Sequence, residues 1–145
     1  MIPQRSTGEL METLTGKGTY ERIQEEISAD QYDIDLSGYL HGLAEERGLK
    51  PADIMRDSGL RKSYFYQLFD GKRKNPSRDM MIQMGFGFRF TLDEMQGFLK
   101  HLNIAQLYPK IPRDGVIIYA LHHGLSIVKC DLLLADNDEE PLSKE

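Results

Sequence analysis

The stretch that most restricts how this chain can fold covers residues 49–77, LKPADIMRDSGLRKSYFYQLFDGKRKNPS. Pro51 suits the first position of a helix, where its missing N–H would have no intrahelical partner. Gly59 can take the positive φ that a tight turn between helices needs, and Leu60 can fill the angle between them. The stretch therefore predicts a short helix from Pro51, a turn at Gly59 and a second helix over about 62–69.

The second predicted helix separates its side chains into two faces at helical period. Phe65, Leu68 and Phe69 share one face, and Tyr64 lies at its edge. The opposite face carries Lys62, Ser63, Tyr66, Gln67 and Asp70. A basic loop, residues 72–74, follows directly after the helix. The pattern predicts a helix that buries one face and offers the other, beside a cationic loop, to a partner.

The spacing of these residues is similar to that of a known family of small DNA-binding domains. The residues that carry the likeness are Gly59-Leu60, Phe65, Leu68, Gly71-Lys72-Arg73, Asn75-Pro76-Ser77 and, further on, Thr91-Leu92-Asp93-Glu94. In this register they resemble the helix-turn-helix of the phage-repressor (Cro/C1, or Xre-type) family, with one extra residue at Lys74. The resemblance covers about residues 36–102 and implies an all-α fold with a five-helix lambda-repressor-like domain.

The same resemblance implies which side chains would contact double-stranded DNA in a sequence-specific transcriptional regulator. The positions that match the family's base-reading residues are Arg61, Lys62, Ser63, Tyr66 and Gln67, and the candidate phosphate contacts are Lys50, Lys72, Arg73 and Lys74. Gln67 could pair bidentately with adenine, and Lys62 could donate to guanine O6 and N7. Lys50 also occupies a position where the family often has a capping Ser or Thr, so we expect that helix to start without a side-chain cap.

Charge is distributed unevenly along the chain, whose formal net charge is −5. The 49–78 segment carries eight Lys or Arg and three Asp or Glu, a formal charge of +5, whereas the rest of the chain carries −10. A local concentration of cations is the electrostatic pattern of a surface that binds a polyanion. The alternative is that residues 72–74 are a solvated basic loop on an acidic protein.

Cap residues predict further helices on both sides of the predicted helix pair. The signals are Gly48 after a helix over 36–47, Ser77 before the next helix, the Thr91 and Glu94 capping box, Pro112 at a first helical position, and Ser126 before a last helix. The final two signals lie in a C-terminal extension, residues 103–135, which resembles that of uncharacterised bacterial Xre-type proteins. The apolar helices of this extension either complete the core or form the interface of a homodimer.

The helix after Ser77 contains residues that do not favour its continuation. Gly85 and Gly87 should each weaken it by up to about 1 kcal/mol relative to alanine. Arg89 stands where the family usually has a glycine that ends this helix. An arginine takes the left-handed conformation of such a helix end less readily than glycine does. The sequence therefore leaves the geometry at Arg89 open.

The two ends of the chain are predicted to lie outside the main domain. Residues 1–35 read as a helical accessory region in which Ser6 and Glu9 fit a capping box. Residues 136–145 form an acidic tail that we expect to be disordered. No segment approaches the roughly 18 apolar residues of a membrane span, and the N-terminus is too polar and acidic for a secretory signal. The sequence therefore predicts a soluble cytoplasmic protein with no membrane partner.

A second interpretation assigns the same scaffold to protein binding. Tyr66 is bulky for a position that reads a groove, and Asp70 would place a negative charge near the phosphates. On this view Tyr64 and Tyr66 form an aromatic surface for a protein partner, as in a non-catalytic adaptor or an antitoxin-like module. The interpretation predicts weak, salt-sensitive binding to any duplex and a dependence on Tyr64 or Tyr66 instead of Gln67.

The sequence predicts no catalytic, cofactor or metal site. The four histidines, His41, His101, His122 and His123, form no i, i+4 pair with each other or with a cysteine, as a zinc site on a helix would need. Cys130 is the single cysteine, so no disulfide can form within the chain, and its apolar surroundings indicate a core thiol. No glycine-rich phosphate loop follows a predicted strand. The chain is therefore predicted not to be an enzyme.

Overall fold

The computed structural model describes residues 35–73 and 75–143. Over this part of the chain the fold is all-α, as predicted, with seven helices and no strand. The helices are α1 Leu36–Arg47, α2 Pro51–Ser58, α3 Lys62–Phe69, α4 Arg78–Gly87, α5 Leu92–His101, α6 Pro112–His122 and α7 Ile127–Asp136. They belong to one compact unit that begins at Leu36. The predicted accessory helices before residue 35, and Lys74, lie outside the described residues.

The helix ends lie where the cap residues predicted them. The Ser77 hydroxyl accepts a hydrogen bond from the backbone N–H of Met80 at 3.1 Å. Thr91 and Glu94 form the complete capping box of α5, since each side chain binds the other's backbone N–H. Gly59 has a φ of 71° and ends α2 in the left-handed conformation. Local side chains are therefore enough to position these helix boundaries.

Helix α4 is the centre of the core, and every residue from Met81 to Gly87 is buried. It packs against α2 so closely that a Cβ at Gly87 would lie 2.5 Å from the Ile54 carbonyl oxygen. A Cβ at Gly85 would meet the end of the Met95 side chain, on α5, at 2.2 Å. The helix runs through both glycines, whose absent side chains let its neighbours approach.

Arg89 itself adopts a left-handed conformation, with a φ of 60°, which glycine takes most readily. Its guanidinium donates from Nε and Nη2 to the Asp57 carboxylate at 3.1 and 2.9 Å. Burial raises the pKa of Asp57, but hydrogen bonds from Arg56 and Arg89 outweigh it and hold the pKa below its usual value. These bonds tie the end of α4 to the end of α2 and offset part of the backbone strain at Arg89.

Two reciprocal ion pairs join the N-terminal ends of α4 and α6. Arg78 donates to the Asp114 carboxylate at 2.9 and 3.0 Å, and Arg113 donates to Asp79 at 2.8 and 2.9 Å. Asp114 is 2% exposed and also accepts from the Tyr108 N–H. Burial raises the pKa of Asp114, but the hydrogen bonds from Arg78 and Tyr108 outweigh it, so the pKa lies below its ordinary value. The C-terminal extension is thereby fixed to the rest of the helical unit.

The extension completes the core, which was one of its two predicted roles. Its buried side chains belong to the same apolar cluster as those of α1–α5: Leu107, Ile117, Ala120, Leu121, Ile127, Cys130 and Leu134. Burial raises the pKa of the Cys130 thiol to about 12, with Asp131 adding to the effect. The thiol therefore stays protonated, as a core cysteine does.

The acidic tail packs onto α7 and the turn between α2 and α3, so the expectation that it is disordered is wrong as far as Ser143. Leu142 is 1% exposed. Its backbone N–H donates to the Asp131 carboxylate at 2.6 Å, and the Ser143 N–H donates to the other oxygen at 3.3 Å. The Ser143 hydroxyl lies 2.6 Å from the position that a Cβ on Gly59 would occupy. The tail therefore covers the turn between α2 and α3.

Among the helices that the structure describes, none is long and apolar enough to cross a membrane.

Candidate nucleic-acid interface

Helix α3 is held by its apolar side and by its C-terminal end. Phe65, Leu68 and Phe69 are buried as predicted, and the Phe65 and Phe69 rings stack with centroids 5.1 Å apart. Two side chains of α1, Ser37 and His41, bind the Phe69 carbonyl oxygen. A carbonyl oxygen only accepts, so His41 donates from Nε2, at 2.9 Å. These contacts fix the position of α3 against the core. They also give His41 a structural role, since its ring binds the end of α3.

The sequence-predicted contact residues divide into an exposed and a half-buried group. The exposed group contains Lys50, Arg61, Lys62, Ser63 and Lys72. The half-buried group contains Tyr66, Gln67 and Arg73. Lys74, the last predicted phosphate contact, lies outside the described residues. The exposed group is four cations and one hydroxyl, which are donors to phosphate or to base edges.

Lys50 begins α2 with an extended backbone and no side-chain hydrogen bond to the helix, as its position predicted. Arg61 begins α3 in the same way. The side chains of both residues are exposed. Both helices therefore start with a cation at the N-cap position. These cations and the positive end of each helix dipole together favour an anion.

Tyr66 is turned partly toward the core. Its ring makes an edge-to-face contact with Phe65, with centroids 5.1 Å apart and planes at 90°. Part of this side chain belongs to the packing of α3 and is not available to a groove. The aromatic surface proposed for a protein partner is reduced in the same way, because Tyr64 is also half-buried.

Two arginine guanidiniums lie near the ring of Tyr64, an arrangement that was not predicted from the sequence. The Arg73 guanidinium carbon is 5.0 Å from the ring centroid of Tyr64, and that of Arg61 is 6.0 Å away. These are cation–π distances. Arg61 precedes Tyr64 by three residues, a spacing at which helical side chains meet and which could have indicated this contact. Nothing local indicates that Arg73 would fold back from the loop.

Arg73 also binds Gln67. Its Nε donates to the Gln67 side-chain oxygen at 3.3 Å. The backbone N–H groups of Lys72 and Arg73 both donate to the Gln67 carbonyl oxygen at 2.9 Å. The first two residues of the basic loop are thus bound to α3 through their backbone. Of these two, Lys72 has an exposed side chain, whereas that of Arg73 is half-buried.

A cleft of about 470 Å³ opens beside the start of α3. Its lining combines the α2–α3 turn, the start of α4 and the tail: Gly59, Leu60, Arg61, Tyr64, Ser77, Arg78, Asp79, Met80, Gln83 and Leu142. Gln83 is buried and donates weakly to the Ser58 carbonyl and the Ser143 hydroxyl, at 3.4 and 3.3 Å.

In residues 35–73 and 75–143, no group of three His, Cys, Asp or Glu could hold a metal ion.

Comparison with models of known protein families, with curated proteins and with solved structures found no match to this chain. The likeness to phage repressors therefore rests on the residues quoted from the sequence.

Proposed function

We propose that this protein is a sequence-specific DNA-binding transcriptional regulator of the helix-turn-helix type. In this proposal α3 enters the major groove, and Lys62 and Gln67 reach base edges. The observation that carries the proposal is the group of exposed cations around α3, on a chain that is acidic elsewhere. A helix held at its apolar side and its C-terminal end suits rigid insertion into a groove.

The phosphate contacts in this proposal come from both helix starts and from the loop. Lys50 and Arg61 stand at the first turns of α2 and α3, and Lys72 stands just beyond the end of α3. Cations and backbone N–H groups at these places would position the protein on the duplex backbone. We assign Arg73 mainly to α3, since its guanidinium contacts Tyr64 and Gln67.

We propose as well that two copies bind a two-fold site through α7. Val128 and Leu132 are four residues apart on this helix and are 65% and 61% exposed. Apolar side chains at this spacing form a stripe that a second helix can cover. Val128→Asp should keep the helix, because an acidic residue suits a first turn, and should abolish a dimer. Sedimentation that finds the wild type monomeric at micromolar concentration would contradict this dimer.

Fluorescence anisotropy with a duplex chosen from a random pool tests the DNA proposal. Lys62→Ala should weaken binding to the chosen duplex more than to a scrambled one. Lys72→Ala should weaken both alike and reduce the slope of log affinity against log salt by about 1. Lys110→Ala, an exposed lysine between α5 and α6, is the control and should change neither. Unchanged binding by both Lys62→Ala and Lys72→Ala would refute the proposed interface.

A further inference from the structure

The Gln67 side chain on α3 has a defined orientation. Its partner, Arg73, carries only N–H donors, so the atom of Gln67 that faces Arg73 must be the amide oxygen. The NH₂ group consequently lies at the other side of the amide. A glutamine that no neighbour restrains can present its oxygen or its nitrogen to a base with equal ease.

Arg73 is itself held in two ways, so this orientation does not depend on one flexible contact. Its backbone N–H donates to the Gln67 carbonyl oxygen at 2.9 Å. Its guanidinium lies against the ring of Tyr64, one turn earlier on α3. The arginine is half-buried in this position. Tyr64 and the loop backbone together keep the guanidinium beside the Gln67 oxygen.

The orientation decides which base Gln67 suits. A bidentate contact with adenine needs the glutamine oxygen to accept from N6 while the nitrogen donates to N7. The Arg73 guanidinium occupies one lone pair of the Gln67 oxygen, and its positive charge disfavours a second N–H donor, such as adenine N6, at the same oxygen. Gln67 therefore acts toward a base through its NH₂ group, as a donor. In the major groove guanine presents two neighbouring acceptors, O6 and N7, and no donor, whereas adenine and thymine each present one acceptor. A donor-only side chain therefore binds guanine best.

We propose that Arg73 is a positioning residue that makes Gln67 a donor-only reader, so that the base opposite Gln67 is guanine. This inference rests on the proposed DNA-binding function and replaces the simpler pairing of Gln67 with adenine. Arg73 determines specificity through Gln67 without touching the base.

The test compares four duplexes that differ only at the base pair opposite Gln67. That base pair is identified first. It is the position of the selected site at which Gln67→Ala no longer distinguishes between the four base pairs. The wild type should bind the guanine duplex most tightly. Arg73→Ala should shift the ratio of adenine to guanine affinity toward adenine by roughly tenfold, the scale of one good base contact. Lys72→Ala is the matched control and should weaken all four duplexes equally.

Two results would overturn the inference while the DNA-binding function stands. One is a wild-type preference for adenine at the position opposite Gln67. The other is an equal loss of affinity for all four duplexes in Arg73→Ala, which is what a plain phosphate contact would give. If no duplex is selected at all, the proposed function fails and the inference fails with it.

A measurement without DNA tests the orientation by itself. The side-chain NH₂ signals of Gln67 in a ¹H–¹⁵N spectrum should move in Arg73→Ala, because the amide loses its charged partner. They should stay in place in Lys72→Ala. Signals that do not respond to Arg73→Ala would show that the amide is not held, and would contradict the proposal whatever the duplexes give.

Discussion

Arg78 and Asp114 lie 36 residues apart and form a two-bond ion pair between the first turns of α4 and α6. Asp114 is almost fully buried, whereas Arg78 keeps about 29% of its side chain exposed. Arg78 also donates to the carbonyl oxygens of Ala105 and Gln106. A single arginine thus holds together three segments: α4, the connector between α5 and α6 (residues 102–111), and α6.

Arg78→Ala should destabilise the protein strongly, because it leaves the Asp114 carboxylate buried without its cation. We expect a loss of about 3 kcal/mol in the free energy of unfolding, the lower end for a broken buried pair, since Arg78 is partly exposed. Urea denaturation measures this. Lys110→Ala, on the exposed part of the connector, is the control and should leave the midpoint unchanged. Equal midpoints for Arg78→Ala and wild type would refute this role.

The same pair makes stability depend on pH. The pKa of Asp114 is lower in the folded state than in the unfolded chain, so its contribution to stability is complete above the unfolded value of about 3.9. The contribution is lost as the pH falls through the folded pKa. The stability difference between wild type and Asp114→Asn should therefore shrink as the pH falls from 7 to about 3. A difference that stays constant across this range would contradict the assignment.

The two glycines of α4 should respond differently to alanine. Gly87→Ala places a methyl group against the backbone carbonyl of Ile54, which cannot move without separating α2 from α4. We expect it to cost about 1–3 kcal/mol, as overpacked cores do. Gly85→Ala meets the end of the Met95 side chain, which can rotate, and also gains helix propensity, so its cost should be smaller. Thermal unfolding of both variants decides this, and equal losses would refute the close approach at Gly87.

Leu142 should behave as a core residue despite its place near the end of the chain. Leu142→Ala removes a buried side chain and should cost about 2–5 kcal/mol in the free energy of unfolding. Leu132→Ala makes the same chemical change at an exposed site and serves as the control, at a dilution where sedimentation shows monomer. If Leu142→Ala costs no more than Leu132→Ala, the tail does not pack on the helical unit in solution.

Features set by neighbouring residues could be predicted from the sequence. Pro51, Ser77 and the Thr91 and Glu94 capping box act within one helical turn, and each begins a helix where expected. The burial of Phe65, Leu68 and Phe69 likewise follows from spacing along a single helix. Local physical chemistry therefore predicted the helices and the face of α3 that packs inward.

Contacts between distant segments could not be predicted in this way. The pairing of Arg78 with Asp114 and the packing of Leu142 depend on how helices cross, which no local spacing specifies. The same holds for Arg73: its position in a basic loop predicted a phosphate contact, but not the contacts of its side chain with Tyr64 and Gln67. The sequence showed which segments carry positive or negative charge. It did not show which residue each charged side chain contacts in the fold.

Selection from a random duplex pool, followed by titration of the selected site and a scrambled duplex at two salt concentrations, tests the central claim most directly. If α3 reads DNA as proposed, a two-fold site should be enriched. The full chain should bind that site about a thousandfold or more tighter than the scrambled duplex at physiological salt. Absence of any enriched site, with both duplexes losing affinity in parallel as salt rises, would contradict the account and leave only a cationic patch that attracts phosphate.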